Sequence, residues 1–175
     1  MTYTPIMGTL AYVLDASSQR VLLVHRNARA TDQHLGKWNG LGGKIEAHED
    51  AAASVRRELS EEAALDITAM SLRGTVSWPG FGPHGEDWFG LIFLVTAWHG
   101  EPPSANPEGD LHWIPLERLL QACSSDESLR TAADLPMWEG DRCFVPLVFD
   151  NDPRLFHGVM PYDDGRPVSW TVERW

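Results

Sequence analysis

A glycine-rich turn followed directly by an amphipathic helix is the feature that most constrains this chain. Residues 40–43 contain three glycines, and such a turn before a helix lets backbone N–H groups approach phosphate oxygens. Lys44 adds a positive charge that suits the same ligand. Apolar residues then recur at helical spacing from residue 50 to about 64, with Asp50 as the expected N-cap. The pattern predicts a phosphate-binding turn that leads into a helix.

Three carboxylates share one face of this predicted helix. Glu58, Glu61 and Glu62 stand at spacings i, i+3 and i+4, where like charges weaken a helix by about 0.2–0.5 kcal/mol per pair. Arg57 alone cannot neutralise them, whereas Mg²⁺ binds one or two carboxylates together with water and substrate phosphates. A solvated acidic face is the alternative that the spacing alone leaves open.

The same segment resembles the box motif of the Nudix family. Gly43, five residues, Glu49, seven residues, Arg57-Glu58-Leu59, one residue and Glu61-Glu62 match the motif at every position through Glu62. The motif then expects a glycine where this chain has Ala64. A glycine there is suited to a left-handed helix end, in which alanine is strained. We therefore expect strained backbone geometry at the end of the helix and no loss of a ligand.

The resemblance implies a role for each of these residues. It implies a metal site made of Glu58, Glu61, Glu62 and the carbonyl of Gly43, with Mg²⁺ as the cofactor and Mn²⁺ as the alternative. It also implies that Arg57 orients the glutamates, in a catalytic network that includes Glu49. The implied reaction is attack of water on a phosphorus of a nucleoside diphosphate linked to another group. The choice of general base stays open, with Glu58 as the first candidate.

Segments outside the motif resemble the MutT-type members of the family, which hydrolyse oxidised purine nucleoside triphosphates. These segments are residues 36–44 (GKWNGLGGK), 108–115 (EGDLHWIP) and 136–141 (PMWEGD), and residues 156–158 (FHG) also resemble the mammalian enzyme. The resemblance implies one further metal-binding acid at Glu108. Its positive charge after the glycine-rich turn also makes Lys44 a candidate for binding the substrate phosphates.

Asn39, Trp138 and Asp141 fit a substrate-binding pocket for a base. Trp138 offers a flat face for stacking, and Asn39 offers a donor and an acceptor together. Asp141 accepts from base N–H groups, or donates if burial keeps it protonated. The alternatives are a core position for Trp138 and a helix-capping role for Asp141. The mammalian enzyme has two adjacent aspartates where this chain has Gly140-Asp141, so we expect guanine-type rather than adenine-type substrates.

The rest of the pattern predicts one α/β domain over residues 1–175. Strands are expected at 6–14, 21–25, 71–78, 88–98 and 111–114, helices at 115–123 and 141–150, and a closing hairpin at 155–162 and 167–172. Together with the central helix, these elements predict the Nudix fold, a mixed β-sheet sandwiched between helices.

Composition limits the partners of the chain. With 25 acidic against 14 basic residues and a net charge of −11, it lacks the basic stripe that a nucleic-acid polymer or a membrane surface requires. The expected partner is a small nucleotide whose charge is offset by metal ions. Cys123 and Cys143 lack the spacing of a zinc site or disulfide framework. We also expect His34, His48 and His84 at the surface.

A cytoplasmic location is the default expectation. The N-terminus lacks the basic region of a signal peptide, and no apolar run approaches the roughly 20 residues that span a bilayer. The oligomeric state is left open by the sequence.

The motif predicts a chemistry more firmly than a substrate. The leading prediction is a Mg²⁺-dependent pyrophosphohydrolase that converts 8-oxo-dGTP, or a close relative, to the monophosphate and pyrophosphate. The alternatives are a Nudix hydrolase of a dinucleoside polyphosphate or ADP-ribose, and a nucleotide-binding sensor without catalysis. Intact Glu58, Glu61 and Glu62 disfavour the sensor, because loss of catalysis typically shows in the motif. An isoprenoid diphosphate isomerase is disfavoured because its characteristic cysteine has no match.

Overall fold

The computed structural model describes residues 2–175. Its helices are α1 (Ala51–Ala63), α2 (Leu116–Ala122), α3 (Glu127–Ala133) and α4 (Asp141–Phe149). None of these helices in residues 2–175 is long and apolar enough to cross a membrane. The strands are β1 (Ile6–Asp15), β2 (Arg20–His25), β3 (Trp38–Asn39), β4 (Asp66–Trp78), β5 (Trp88–His99), β6 (Ala105–Asn106), β7 (Gly109–Pro115), β8 (Phe156–Val159), β9 (Tyr162–Asp163), β10 (Arg166–Pro167) and β11 (Thr171–Arg174).

Most of these strands form one mixed sheet. Its order is β11-β8-β4-β5-β1-β2-β7-β6. Off this path, β3 pairs with the end of β2 on the side of β1, because β7 pairs with the same residues of β2 on the other side. The pairs β1/β5 and β4/β8 are parallel, and the other neighbours are antiparallel. The strands β9 and β10 form a separate two-stranded sheet.

Helices cover both faces of the sheet. Along β1 and β2, Tyr12 and Leu23 pack in a hydrophobic cluster with residues of α2, α3 and α4, whereas Val13 and Leu22 pack in a second cluster with α1. Successive side chains of a strand point to opposite faces, so α1 lies on one face and the other three helices on the other. The predicted mixed sheet sandwiched between helices is confirmed.

Several elements begin or end at residues other than the predicted ones. β4 begins at Asp66 rather than at residue 71, because its first residues pair with the end of β5 through irregular register that obscures the alternation of side chains. The short helix α3 was not predicted; the side chain of Asp126 caps it. β8 and β11 pair as the predicted hairpin, but β11 begins at Thr171, and the small β9–β10 hairpin lies between them in the chain.

The end of α1 has the strained geometry that the sequence predicted. Ala64 has φ 55° and ψ 33°, in the left-handed region. Its N–H donates to the Ser60 carbonyl at 3.1 Å, and the N–H of Leu65 donates to the Leu59 carbonyl at 3.2 Å. These bonds satisfy the last carbonyls of the helix, at the cost of a conformation that glycine adopts more easily.

We expect Ala64→Gly to raise the free energy of unfolding by about 0.5–1 kcal/mol, because the relief of left-handed strain exceeds the added entropy of the unfolded chain. Urea denaturation followed by circular dichroism measures the change. Ala53→Gly is the matched control: Ala53 is exposed inside α1, so glycine there should destabilise by about 1 kcal/mol. A loss of stability in both variants contradicts the prediction.

Candidate active site

The packing of α1 determines which of its side chains face the glycine-rich turn. Asp50 caps the helix by accepting the Ala53 N–H at 2.8 Å, and Val55, Leu59 and Ala63 form its buried stripe. Glu62 lies beside this stripe, and one of its carboxylate oxygens accepts the Gly42 N–H at 3.1 Å. The turn and the helix are therefore joined at the end of the helix that carries the acids.

Gly43 approaches α1 so closely that no side chain fits there. A Cβ atom at this position would overlap the carboxylate of Glu58. The Gly43 carbonyl, predicted as a metal ligand, accepts the Thr9 N–H at 2.8 Å. A carbonyl oxygen has two lone pairs, so one of them remains for a further partner.

Arg57 holds three carboxylates of the motif in place. Its guanidinium donates to both oxygens of Glu49, at 2.7 and 3.0 Å, and to one oxygen of Glu58 at 2.9 Å. It reaches Glu61 at 3.4 Å. These hydrogen bonds from Arg57 lower the pKa of Glu49 to about 2. The predicted orienting arginine thus lies among the predicted network residues.

Glu58, Glu62 and Glu108 lie close together, and the neighbouring positive charges do not offset their mutual repulsion. Burial and the neighbouring Glu108 raise the pKa of Glu62 to about 8, against the opposing hydrogen bond from Gly42. Burial raises the pKa of Glu58 too, against the opposing hydrogen bond and charge of Arg57, and Glu61 and Glu108 add to the rise. A bound cation would stabilise the ionised forms of these carboxylates.

The loop before β7 brings Glu108 to α1. Asn106 donates its amide to the carbonyl of Glu62 at 3.1 Å and accepts the Glu108 N–H at 2.8 Å. The Glu108 carboxylate forms an ion pair with Arg26, which also donates to Asp32 at 2.8 Å. Glu108, predicted only through resemblance, is thereby placed next to the acids of the helix.

Glu61 and Lys44 lie at the edge of this group. The Glu61 side chain is 62% exposed, compared with 13% for Glu58. Lys44 is exposed, and its Nζ lies 5.4 Å from the centroid of the Trp88 ring. The structure therefore brings Glu58, Glu62 and Glu108 together, with Glu61 and Lys44 more exposed at the edge of the group.

The donor set suits a hard divalent cation. Carboxylates and a backbone carbonyl are the oxygen ligands that Mg²⁺ prefers, and the glycine at 43 leaves the space beside Glu58 open. Within residues 2–175, no three His, Cys, Asp or Glu side chains form a ready-made metal cage. Mg²⁺ does not require one, because it keeps several waters and commonly binds through one or two carboxylates plus substrate phosphates.

A cavity of about 220 Å³ opens beside these residues. It is smaller than the roughly 300–1,000 Å³ of whole ligand pockets, so it accommodates one part of a nucleotide. Its wall contains residues of the glycine-rich turn and of the predicted base pocket together, along with aromatic side chains of β4, β5, β9 and the loop between β4 and β5. The residues used below are Gly42, Gly43, His34, Asn39, Trp138 and Asp141.

Trp138 lies in the cavity wall and is only partly buried. Lys37 Nζ lies 4.6 Å from its ring centroid, and Phe81 meets it edge-on with centroids 5.6 Å apart. The indole N–H donates to His34 at 2.7 Å. This placement differs from a fully enclosed core position and leaves part of the ring facing the cavity.

Asp141 is the first residue of α4 and also lines the cavity. Gly140 occupies the cap position of the helix, without a side-chain hydrogen bond, so the alternative role of Asp141 as the cap is not observed. Burial raises the pKa of Asp141 to about 7, against the opposing charge of Lys37. The carboxyl group therefore changes protonation close to neutral pH.

The prediction that His34 lies at the surface is wrong, whereas His48 and His84 are exposed as expected. His34 is half-buried in the cavity wall. Arg26, which forms an ion pair with Glu108, was not predicted as a site residue. The pattern around each residue gave no signal, because each contact joins distant parts of the chain: His34 and Trp138 are 104 positions apart.

Comparison with known proteins agrees with this geometry. The NUDIX domain model matches residues 4–135. The oxidized purine nucleoside triphosphate hydrolase of Danio rerio is 31% identical over 139 residues, which cover 79% of this chain and 78% of that protein. The Mus musculus protein of the same name is 29% identical over 162 residues, which cover 92% and 89%.

A solved structure extends the likeness over nearly the whole fold. The MutT protein from Bacillus halodurans superimposes with a TM-score of 0.75 at 26% identity, covering 96% of this chain and 97% of that one. The family model covers most of the chain, including the glycine-rich turn, α1 and Glu108. The chain therefore belongs to the Nudix family of hydrolases.

Proposed function

We propose that this Nudix hydrolase is a Mg²⁺-dependent pyrophosphohydrolase of oxidised purine nucleoside triphosphates of the 8-oxo-dGTP type. One observation carries the proposal: Gly42 and Gly43, next to the acids of α1, line the same cavity as Trp138 and Asp141. A nucleotide whose base lies against Trp138 thus has its phosphates directed towards the acids. The substrate is a small nucleotide, bound by residues 1–175 acting as one domain.

Glu58, Glu62, Glu108 and the Gly43 carbonyl are the groups that would hold Mg²⁺, with Mn²⁺ as the alternative; Nudix hydrolases generally use such divalent cations. The ion supplies neutralisation of phosphate charge and a lowered pKa of bound water. Arg57 occupies one oxygen of Glu58, so the second oxygen is the one that would hold the ion.

The base pocket favours a guanine-type edge. The guanine ring N1–H and the exocyclic amino group are donors, and the carboxylate of Asp141 accepts from both when it is ionised. Trp138 provides the stacking face. The named function of the fish and mouse relatives, hydrolysis of oxidised purine nucleoside triphosphates, supports the same substrate class.

The proposal is tested by measuring phosphate products from 8-oxo-dGTP, dGTP, ADP-ribose and a dinucleoside tetraphosphate, each with Mg²⁺ and with excess chelator. We expect a clear preference for 8-oxo-dGTP, with pyrophosphate as the product and no activity in chelator. Preferred hydrolysis of ADP-ribose or the tetraphosphate overturns the substrate assignment. Binding of nucleotide without any turnover supports a sensor instead.

We expect the affinity for 8-oxo-dGMP to fall as the pH is lowered from 8 to 6, approaching tenfold per pH unit below about 7. The free carboxyl of Asp141 has a pKa of about 7, and a ligand that needs the carboxylate must displace the proton below that value. Isothermal titration calorimetry on metal-free protein measures the change.

Asp141→Asn is the control for this pH dependence. It keeps the shape of the side chain and removes its titration, so binding should be weaker at pH 8 and nearly independent of pH. An affinity that rises towards pH 6 in the wild-type protein would mean that protonated Asp141 donates to the base.

A further inference from the structure

His34 lies in the cavity wall between the two residues on which the proposed base pocket depends. Its Nδ1 is 2.7 Å from Nε1 of Trp138 and 3.3 Å from Nδ2 of Asn39. The rings of His34 and Trp138 meet edge-on, with centroids 5.4 Å apart and planes at 88°. The proposed reaction does not itself use this imidazole.

The chemistry of the indole determines where His34 carries its proton. An indole N–H can only donate, so Nδ1 of His34 must present a lone pair, and the proton of the neutral ring is on Nε2. Nε2 lies 3.2 Å from the side-chain amide of exposed Gln33, which in this tautomer turns its oxygen towards the Nε2 proton. Burial, with the positive charges of Arg26 and Lys37, lowers the pKa of His34 to about 4, against the opposing charge of Asp32. The neutral ring is therefore the form present near pH 7.

The same lone pair determines how the amide of Asn39 is turned. Because Nδ1 of His34 only accepts, the Asn39 atom that faces it is the donor Nδ2 and not Oδ1. Oδ1 is then turned away from His34, and it is buried without a hydrogen-bond partner in residues 2–175. A buried acceptor without a partner is costly unless a ligand satisfies it, and Asn39 lines the cavity.

We propose that His34 is a positioning residue that orients the Trp138 ring and turns the Asn39 carbonyl oxygen into the cavity, where it accepts a ring N–H of the base. This inference rests on the proposed function. N7 of ordinary guanine is an acceptor, whereas oxidation at C8 converts it to an N7–H donor. A fixed acceptor at Asn39 therefore favours the oxidised base, and His34 contributes to discrimination without touching the reacting atoms.

The arrangement is tested first without any ligand. Long-range ¹H–¹⁵N NMR spectra at pH 7 should show His34 protonated at Nε2 and unprotonated at Nδ1. In Trp138→Phe, which removes the donor and keeps an aromatic ring, the Nδ1 resonance should shift. Protonation of His34 at Nδ1 overturns the proposal, whichever nucleotide the enzyme hydrolyses.

The effect on discrimination is tested with two monophosphates, 8-oxo-dGMP and dGMP, on metal-free protein. Loss of the shared acceptor in His34→Leu should weaken binding of 8-oxo-dGMP roughly three- to tenfold more than binding of dGMP. His34→Asn, whose side-chain carbonyl replaces the acceptor, should restore most of the preference. His99→Leu makes the same change at the exposed end of β5 and should leave both affinities unchanged.

Equal weakening of both monophosphates in His34→Leu, without rescue by His34→Asn, overturns the proposal, because a merely structural role predicts that result. If the wild-type protein binds neither monophosphate, the NMR spectra alone decide the role of His34, and the substrate panel separately decides the proposed function. Circular dichroism identifies any variant that does not fold. If His34→Leu does not fold, the affinities of His34→Asn and the NMR spectra of the wild-type protein decide the role of His34.

Discussion

Glu62→Gln is expected to lower kcat/KM for the preferred nucleotide by about 10²–10⁴-fold in excess Mg²⁺. Glutamine keeps the size of the side chain and an oxygen for the Gly42 N–H, which donates to Glu62 at 3.1 Å. It removes the negative charge that would bind the cation. Metal ions contribute several kcal/mol of transition-state stabilisation, and about 1.4 kcal/mol corresponds to a factor of ten in rate.

The same substitution should not destabilise the metal-free protein. Burial next to Glu108 disfavours the ionised form of Glu62, so a neutral side chain removes an unfavourable charge. We expect the Glu62→Gln protein to melt at the same temperature as the wild type, or above it, at pH 7.5 in chelator. Added Mg²⁺ should raise the melting temperature of the wild type more than that of the variant.

Glu61→Gln is the matched control for Glu62→Gln. The Glu61 side chain is 62% exposed and contacts Arg57 at 3.4 Å, so we expect about a tenfold loss, at the low end of the roughly 10–100-fold range of supporting residues. A loss as large as that of Glu62→Gln would place Glu61 at the metal after all. Wild-type turnover in Glu62→Gln would remove Glu62 from the metal site.

Trp138→Ala is expected to weaken binding of 8-oxo-dGMP by about 5- to 150-fold, because stacking on an aromatic side chain contributes roughly 1–3 kcal/mol per base. KM for the triphosphate should rise in parallel while kcat changes less, since stacking is present in both the ground and the transition state. Titration calorimetry and steady-state kinetics measure the two effects.

Two controls separate stacking from other roles of this residue. Trp138→Phe keeps an aromatic face and should retain more affinity than Trp138→Ala. Trp175→Ala removes a tryptophan that is 77% exposed and should leave binding unchanged. A fall in kcat with unchanged KM in Trp138→Ala contradicts a stacking role, and indicates that the residue acts on the chemical step.

The parts of the fold that the sequence predicts well are those specified by local spacing. The cap at Asp50 and the left-handed Ala64 bound α1 as predicted, because both depend on a few neighbouring residues. The first hairpin follows the β-branched and apolar runs of β1 and β2 for the same reason. The start of β4 does not, since its irregular pairing with β5 breaks the two-residue period.

The residues of the candidate site also differ in whether their contacts are local or long-range in the sequence. The motif places Arg57 beside Glu49 and Glu58 through contacts within α1 and the turn before it. The contact between His34 and Trp138 joins residues that are 104 positions apart in the sequence. No local pattern records such a contact, so His34 was expected at the surface.

The sheet divides the hydrophobic core into two clusters, one on each face. The cluster behind α1 supports the acidic helix, while the cluster that holds α2, α3 and α4 supports the segment around Trp138. Substitutions at separate sites without shared partners have nearly additive effects on stability. A mutant library confined to the second face would therefore vary the surroundings of the proposed base pocket, while the contribution of α1 and its packing to stability stays nearly unchanged.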